Sequence, residues 1–408
     1  MSRPGPTSRA AESASTLRSP QRLGELALAF LRLGCTSFGG PIAHLGYLHT
    51  EFVRKRAWLD DAHYGDLVAL CQFLPGPASS QLVFALGMQR AGLAGALLAS
   101  SCFTLPSALL MIGFAYGVAH LDVASASWLH GLKLAAVPVV AQAVWGMGKK
   151  LCPDRARASL CFFAAGSLLA LPGAWTQVGV IVGGAAFGAF RYRDRAQSSD
   201  APLAEPGRIA RAAPLVLGLC ATLLALLPAL VSLTNWPLLA EIDRFYRAGA
   251  LVFGGGHVVL PLLRAELVPE GWLSDARFLA GYGAAQALPG PLFAFSAYLG
   301  ASIDVGIARW LNGVVCLLAI FAPAWLLIGG ALPLWQRLRS RGWAPAALAG
   351  ANAAVVGVLL AALYDPVMRE SIRAPRDVVA ALLAFCLLET WKLPAWLVVL
   401  GLALGSAW

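Results

Sequence analysis

Hydrophobic and polar positions divide the chain into long apolar stretches separated by short polar loops. Several stretches reach the ~20 residues that a helix needs to cross a bilayer. In the first half the apolar stretches are 23–47, 64–88, 92–119, 129–147 and a short pair, 159–171 and 175–190. In the second half they are 247–263, 278–301, 310–334, 343–364 and a short pair, 378–388 and 393–408. One further stretch, 213–233, lies between the halves. The pattern predicts an all-α polytopic membrane protein.

The composition agrees with a membrane protein. The chain is 58% hydrophobic and 13% charged, whereas soluble domains carry about 25% charged residues. Its net charge of +10 reflects basic loops on the cytoplasmic side and does not call for nucleic acid as a partner. The eight cysteines form no CxxC pair, so they are interpreted as small core residues. Residues 1–22 are predicted to be a basic cytoplasmic tail that lacks the apolar core of a signal peptide.

The halves repeat the same landmarks. The first copy opens at 34–41 with Gly-Cys-Thr-Ser-Phe-Gly-Gly-Pro, and the second at 249–256 with Gly-Ala-Leu-Val-Phe-Gly-Gly-Gly. Both reach a Gln-x-Leu-Pro-Gly-Pro segment, and the two copies are offset by 214 to 215 positions. We therefore assign 23–190 to an N-terminal repeat, 191–244 to a linker that carries the extra span, and 245–408 to a C-terminal repeat.

An even number of apolar elements in each half, followed by one lone span, predicts that the second half is inverted relative to the first. Inverted repeats with broken helices are typical of secondary transporters, with the substrate held near the midplane. A channel of similar symmetry is the alternative. Basic loops place the N-terminus in the cytoplasm. The basic run 54–56 is on the wrong side if 23–47 crosses completely, so the broken elements either cross or form re-entrant hairpins.

The Gly and Pro breaks indicate a site, because a break in a membrane helix is tolerated only where it faces protein or a wet cavity. A helix that restarts after a break directs free N–H groups and a positive dipole end at the break, which suits an anion. The predicted anion-binding residues at the breaks are Ser37, Gly39, Gly40, Gln72, Gly76, Gly254, Gly255, Gln286 and Gly290. The predicted helix breaks are Pro41, Pro75, Pro77, Gly256, Pro289 and Pro291. The alternative is that these residues only allow close helix packing.

Lys133 completes the predicted anion site. It is the only Lys or Arg inside a long span of the first half, and its counterpart is Asn352. Intramembrane ionisable residues are candidates for function. A lysine one turn from a span end also snorkels to the surface in many membrane proteins, so that reading stays open.

Three acids are candidates for proton coupling: Glu51, its counterpart Glu266, and Asp66. Structural pairing of Glu51 with Arg54 and of Glu266 with Arg264 is the alternative that we prefer, and Asp66 is read as a loop-edge acid.

The remaining chemistry is sparse. The histidines near the motifs are interpreted as polar packing residues, and no metal or cofactor site is predicted; they are His44, His49 and His257. The sequence has no nucleotide-binding loop, nucleophile elbow or HExxH motif. We therefore expect neither an enzyme nor an ATP-driven pump.

The motif set resembles the chromate transporter family. The resemblance rests on 37–41 (Ser-Phe-Gly-Gly-Pro), 44–47 (His-Leu-Gly-Tyr), 51–53 (Glu-Phe-Val), Trp58-Leu59 and 72–77 (Gln-Phe-Leu-Pro-Gly-Pro), and on the second-half motifs. It covers about residues 25 to 408, as in the long two-domain form. It implies a carrier of the bacterial inner membrane that exports chromate and confers resistance. It also implies the membrane potential or proton gradient as driving force, and sulfate as a look-alike anion.

The second copy departs from the first at Val252, which replaces Ser37, and at Gly256, which replaces Pro41. Our hypothesis is therefore a secondary carrier for a tetrahedral dianion that the first half holds more tightly. The alternatives are a sulfate or other oxyanion permease, an anion channel, and a membrane sensor or scaffold without transport. The sequence leaves the transport direction, the coupling ion and a homodimer open.

Overall fold

The computed structural model describes residues 20–38, 40–119, 127–172, 174–192, 208–234, 236–252, 258–335 and 343–405. These residues form helices and loops and contain no strand. Five of the helices are long and apolar enough to cross a membrane. The predicted all-α polytopic fold is therefore confirmed. Most of the predicted tail, the polar part of the linker, and the second-half glycines Gly254, Gly255 and Gly256 lie outside the described residues, as does Gly39.

The first half contributes seven helices to the described residues. They are α1 (Pro20–Thr36), α2 (Gly40–His49), α3 (Asp61–Phe73), α4 (Ala78–Val118), α5 (Ser127–Leu151), α6 (Arg155–Ala170) and α7 (Ala174–Arg191). A π-helical turn, Thr50–Lys55, extends α2. The lone span is α8 (Arg208–Thr234), and only 11% of its apolar window is buried within the protein. Helix α8 therefore lies at the periphery, where lipid surrounds most of it.

The second half repeats this order. Its helices are α9 (Pro237–Leu251), α10 (Val259–Leu267), α11 (Asp275–Ala287), α12 (Phe295–Ser302), α13 (Arg309–Ala331), α14 (Trp343–Ala362), α15 (Pro375–Glu389) and α16 (Ala395–Gly405). A 3₁₀ turn, Leu292–Ala294, precedes α12. A π-helical turn, Leu363–Met368, and a short turn, Arg369–Ser371, follow α14.

The two motif-bearing elements of the first half are re-entrant hairpins. Glu25, near the start of α1, forms an ion pair of 2.8 Å with Arg56, which follows the turn after α2. His63, at the start of α3, lies 2.8 Å from Gln89, thirteen residues beyond the Pro75-Gly76-Pro77 break. If α3 and α4 continued straight, these side chains would lie roughly 35 Å apart. The chain therefore turns back at each break, and the basic run 54–56 returns to the side on which α1 begins.

The second half folds back in the same way. Arg244 of α9 bonds Glu270, beyond the end of α10, at 2.9 Å. The Tyr298 hydroxyl of α12 donates to the carbonyl of Arg277 at the start of α11, at 2.9 Å. The chain therefore folds back at the breaks of both halves, and a straight continuation through a break is not found among the described residues.

Side chains at matching positions begin the second hairpin of each half. The carboxylate of Asp60 caps α3 by accepting the His63 N–H at 2.7 Å. The Ser274 hydroxyl caps α11 by accepting the Arg277 N–H at 3.4 Å. Such caps satisfy N–H groups that have no partner within the helix, so each hairpin begins at a defined residue.

A glycine at matching positions also ends each second hairpin. Within α4 the backbone leaves helical geometry at Ala91 and Gly92, and Gly92 has φ of 63°. Gly306, which is 214 positions later, has φ of 83° between α12 and α13. Glycine adopts this left-handed region without the steric cost of a Cβ atom. A chain that re-enters up to Gly92 then crosses the membrane over residues 93–118.

The halves interlock through their later helices. Helix α14 packs against α6 and α7, and α5 packs against α15 and α16. A Cβ atom on Gly350 of α14 would lie 2.0 Å from the carbonyl oxygen of Gly184 on α7. Gln142 of α5 donates to the Leu388 carbonyl of α15 at 3.1 Å. Each half therefore completes the packing of the other.

Candidate anion-binding site

The helix breaks of the two halves meet through a reciprocal pair of backbone hydrogen bonds. The Gly76 N–H donates to the Val252 carbonyl at 2.6 Å, and the Gly290 N–H donates to the Ser37 carbonyl at 2.9 Å. Gly76 and Gly290 are equivalent in the repeat, and so are Ser37 and Val252. Each half therefore binds its second break to the first break of the other half. We call these two interactions the cross-half hydrogen bonds.

Glycine is required at both donor positions. Gly76 has φ of 120° and Gly290 has φ of 95°, a region that residues with a Cβ atom rarely adopt. A Cβ atom on Gly76 would lie 2.7 Å from Gln81 Nε2, and one on Gly290 would lie 2.8 Å from Ser107 Oγ. Because both N–H groups already bind carbonyls, they are not free donors for an anion in this conformation. The predicted contact of Gly76 and Gly290 with an anion therefore stays a prediction.

A cluster of buried polar residues surrounds the first-half breaks. The members, which we call the Ser37 pocket, are all below 4% exposed and are Ser37, His44, Ser79, Ser80 and Gln81. His44 Nε2 lies 3.1 Å from the Ser37 carbonyl oxygen, and its Nδ1 lies 3.5 Å from Ser79 Oγ. Since a carbonyl can only accept, Nε2 carries the proton, and in the neutral ring Nδ1 accepts from Ser79. His44 thus joins α2 to the start of α4.

The start of α4 provides the free backbone donors near this pocket. The helix begins at Ala78 directly after Pro77, and no described side chain caps it. The first N–H groups of a helix have no partner within it, and the positive end of the helix dipole lies there. The hydroxyl groups of Ser37 and Ser80 have no hydrogen-bond partner among the described residues. Free backbone N–H groups beside buried, unpaired hydroxyls form a neutral pocket that is rich in donors.

Gln81 stabilises the turn in this pocket. Its Nε2 donates to the Pro75 carbonyl at 2.7 Å, and the residue is completely buried. This bond satisfies a carbonyl that the helix break exposes. Gln81 therefore holds the Pro-Gly-Pro turn in place, whereas Ser37 and Ser80 leave their hydroxyls free.

The equivalent positions of the second half are apolar. They are all buried and comprise Val252, Val259, Phe293, Ala294 and Phe295, in place of the five pocket residues. The ring of Phe295 packs against Tyr282 and Tyr298. Ser107 of the first half faces Gly290, and the equivalent position of the second half is the apolar Phe321. The backbone arrangement is duplicated, but the polar side chains are present only once.

The remaining predicted site residues lie in different parts of the structure. Gln72 is exposed on α3 and does not belong to the Ser37 pocket. Gln286 is 9% exposed, and its Nε2 has no hydrogen-bond partner among the described residues. Gly40 has φ of 75° where α2 begins, and Pro41 follows within that helix. Pro75 and Pro77 flank Gly76 between α3 and α4, as Pro289 and Pro291 flank Gly290 between α11 and α12.

Lys133 is buried rather than at the surface. It is 2% exposed in the second turn of α5, and Ser371 donates to its backbone carbonyl at 2.9 Å. Glu370 and Arg373 are its charged neighbours. Among the described residues, no carboxylate forms an ion pair with its ammonium, and no hydrogen bond joins it to the Ser37 pocket. Its predicted contact with the anion therefore stays a prediction.

Two of the three predicted coupling acids, Glu51 and Glu266, pair with arginines, but the arginines that we predicted as their partners were wrong. Glu51 accepts from Arg56 at 2.7 Å rather than from Arg54. Glu266 binds Arg247 at 3.0 Å rather than Arg264. Arg54 and Arg264 instead lie near the aspartates that begin the next helices, Asp61 and Asp275. Asp66 lies on α3 and is exposed.

Sequence reasoning missed most of the Ser37 pocket. It assigned His44 to packing and did not consider Ser79, Ser80 or Gln81. The signal was present, since Ser-Ser-Gln at 79–81 follows the first Pro-Gly-Pro turn after a single residue, whereas Phe-Ala-Phe follows the second turn in the same way. Comparing the residues just after the breaks, rather than only those at the breaks, would have identified the pocket.

Comparison with known proteins assigns the chain to a family. The sequence model "Chromate transporter" matches residues 24–189 and 239–407. The chromate transport protein of Cupriavidus metallidurans is 30% identical over 391 residues, which cover 94% of this chain and 92% of that protein. The chromate transport protein of Pseudomonas aeruginosa is 28% identical over 399 residues, covering 95% and 92%. A probable chromate transport protein of Synechococcus elongatus is 27% identical over 378 residues, covering 91% and 90%.

No solved structure matches the chain. The family match spans both halves and nearly all of the described helices, and the relatives align over almost their whole length. This multi-pass membrane protein belongs to the chromate transporter family.

Proposed function

We propose that the protein is a secondary transporter that exports chromate across the bacterial inner membrane and thereby confers chromate resistance. Family membership and the curated relatives support chromate as the substrate. The observation that carries the proposal is the uncapped start of α4 beside the unpaired hydroxyls of Ser37 and Ser80. These donors suit a tetrahedral oxyanion, which accepts hydrogen bonds on every face.

The neutrality of the Ser37 pocket suits release as well as binding. No described Lys or Arg side chain takes part in its hydrogen bonds. Hydrogen bonds to a charged group contribute about 1.5–3 kcal/mol each, so a few donors hold a dianion without the deep trap that a buried cation would create. A transporter needs such intermediate affinity, because the ion must leave on the opposite side. Gln286 and Lys133 would be secondary contacts of the anion.

The proposed architecture is an inverted repeat of 23–190 and 245–408, joined by the linker that carries α8, with the N-terminus in the cytoplasm. Re-entrant hairpins leave the number of crossings in each half even, and α8 adds one crossing. The cross-half hydrogen bonds are exchanged symmetrically between the halves, as an approximate two-fold axis requires. Rocking of one half against the other would break these bonds on alternate sides of the anion.

The membrane potential or a proton gradient is the proposed driving force, and sulfate is the expected competitor, because it has the charge and shape of chromate. Transport without ATP follows from the absence of a nucleotide-binding loop in the sequence. In this proposal Glu51, Asp66 and Glu266 remain secondary candidates for coupling, since Glu51 and Glu266 are held by arginines.

The test is chromate uptake into inverted inner-membrane vesicles, whose outer surface is the cytoplasmic side. Vesicles with the protein should accumulate chromate above its external concentration, and sulfate should compete. Ser80→Ala should weaken apparent chromate affinity by about tenfold or more, the effect of losing one donor to an anion. Ser296→Ala is the matched control, because that buried hydroxyl already donates to the Phe293 carbonyl of its own turn.

Three results would contradict the proposal. Chromate movement that only equilibrates would indicate a channel. Accumulation of sulfate that chromate does not inhibit would indicate a sulfate permease. Vesicles that show no anion flux, from cells whose chromate resistance is unchanged, would indicate a sensor or scaffold.

A further inference from the structure

A buried carboxylic acid in the second half forms no ion pair with any described residue. Glu241 lies in the second turn of α9 and is completely buried. Its Oε1 accepts from Asn312 Nδ2 of α13 at 3.2 Å, while its Oε2 has no hydrogen-bond partner among the described residues. A buried carboxylate with a free oxygen and no counter-ion is strongly unfavourable, and such a group usually takes up a proton instead.

The nearby arginines are engaged elsewhere. Arg244, one turn along α9, donates to Glu270 at 2.9 Å and stacks over the Trp272 ring at 4.7 Å. Arg247 binds Asp243 and Glu266. No described arginine or lysine forms an ion pair with Glu241, so the carboxyl relies on the Asn312 amide and on the Cys316 thiol beside it.

The elements packed against Glu241 supply few other titratable groups. On α13 the Cys316 thiol lies beside the carboxyl, and Arg309 is exposed at the start of the helix. On α8, Cys220 faces Tyr246, and on α10, Glu266 faces Arg247. The titration of Glu241 is therefore set by its burial, by Asn312 and Cys316, and by the charge of Arg244.

Asn312 makes the carboxyl part of a joint between two hairpins. Its Nδ2 also lies 2.8 Å from the Gly300 carbonyl and 3.3 Å from the Ile303 carbonyl, where the chain turns from α12 into α13. Glu241 therefore holds the first hairpin of the second half against the end of the second hairpin. Helix α9 begins at Pro237, after the exposed Trp236, so the carboxyl lies about 6 Å along the helix from that end. A small separation at this joint would expose it to water.

The first half lacks this joint. The positions equivalent to Glu241 and Asn312 are Leu26 and Leu98, both apolar. Among the described residues, the polar Ser37 pocket is present only in the first half, and a buried acid without an ion pair is present only in the second. The two halves therefore differ in a complementary way.

We infer that Glu241 is the proton-binding site of the transporter, so that the second half carries the proton and the first half carries the anion. This inference rests on the proposed transport function. In the packed state a proton from water is bound to Oε2, and the carboxyl is neutral. When the joint opens, the carboxyl releases the proton to water and becomes a hydrated carboxylate, which must be protonated again before α9 and α13 can close.

The test uses the full-length protein in membrane vesicles, with Glu241→Gln and the control Glu270→Gln. Glutamine keeps an acceptor for Asn312 and mimics the protonated acid, so folding should be preserved. In the wild type a proton gradient should change chromate flux by about tenfold, within the usual range of coupling between two sites. Glu241→Gln should retain flux but lose this response, whereas Glu270→Gln should retain it. A wild-type response in Glu241→Gln would overturn the inference, as would dependence on a sodium gradient instead.

A second readout does not depend on transport. Dicyclohexylcarbodiimide is an apolar reagent that modifies protonated carboxyls in membranes, and mass spectrometry identifies the modified residue. Glu241 should be modified at about pH 6 and much less at about pH 9, because the reagent reacts with the protonated form of a carboxyl. Modification that is independent of pH, or absent at both values, would overturn the inference. If the wild type moves no chromate but Glu241 is modified in this way, the proposed function fails and the proton site stands.

Discussion

In the first half, the turn residues Ser37 and Gly76 lie among buried hydroxyl, imidazole and amide groups. In the second half, the positions equivalent to those polar groups are occupied by valine, alanine and phenylalanine, although Gly290 itself faces Ser107 of the first half. The backbone conformation is nevertheless the same, with positive φ at both glycines and reciprocal hydrogen bonds between the breaks. The comparison teaches that the duplicated backbone builds the junction, whereas the polar side chains distinguish the two halves; under the proposed function, they are what would make the first half the anion-binding one.

The largest effect on stability and chromate flux is expected at the two equivalent glycines, where the halves have the same backbone conformation. Gly76→Ala and Gly290→Ala each place a Cβ atom in a left-handed backbone region and within 3 Å of a neighbouring side chain. Strained backbone of this kind costs about 1–3 kcal/mol, and the clash adds to it. Both variants should therefore lower thermal stability and reduce chromate flux by more than about tenfold.

Gly113→Ala is the matched control, because a Cβ atom there would meet nothing within 4 Å. Thermal stability is measured by size-exclusion chromatography after heating, and chromate flux is measured in vesicles. If Gly290→Ala behaves like Gly113→Ala, the cross-half hydrogen bonds are not essential to the junction.

A smaller effect, on the apparent KM for chromate, is expected where the side chains of the two halves differ. Ser37→Val makes the first half resemble the second and removes an unpaired hydroxyl from the Ser37 pocket. The apparent KM for chromate should rise by about tenfold, because one donor to an anion is lost. The reciprocal change, Val252→Ser, adds a hydroxyl to the apolar half and should leave the KM nearly unchanged. Equal responses to the two changes would show that both halves bind the ion.

The smallest effect on thermal stability is expected at the ends of the hairpins, where equivalent ion pairs of the two halves differ in strength. Arg264 donates two bonds to Asp275, at 2.7 and 3.1 Å, whereas the equivalent His49 makes one contact of 2.7 Å with Asp61. The hydrogen bond from His49, followed by the charge of Arg54, lowers the pKa of the exposed Asp61 carboxyl. Partly exposed pairs contribute about 1 kcal/mol or less.

Arg264→Ala should therefore lower the thermal unfolding temperature by about 1 °C, and His49→Ala should lower it by less. The comparison is made on purified protein at neutral pH. A larger loss for His49→Ala would contradict the assigned order of strength.

Much of the fold could be predicted from the sequence, because Gly and Pro breaks and apolar lengths are local signals. The duplication, the lone span α8 and the inequality of Ser37 and Val252 were all readable in this way. Re-entry at the breaks was only one of two predictions, since apolar length does not specify whether a chain continues or turns back. The ion pair between Glu25 and Arg56, which distinguishes the two, joins residues that are 31 positions apart.

The site was predicted less completely than the fold. Gly76 and Gly290 were predicted among the anion-binding residues, and in this structure their N–H groups bind carbonyls of the opposite half. No sequence pattern reveals such a contact, because it depends on how the halves dock. Glu241 was overlooked for a related reason: its isolation becomes visible only once Arg244 and Arg247 are seen to bind other acids.

The central claim is that one chromate ion binds in the first half, at the Ser37 pocket. Isothermal titration of chromate into the purified full-length protein tests it most directly, with the double variant Ser37→Ala/Ser80→Ala compared with Val252→Ala/Ser296→Ala. The account predicts one ion per chain, binding that is lost in the first double variant, and binding that is retained in the second. Two ions per chain, or equal loss in both variants, would contradict it.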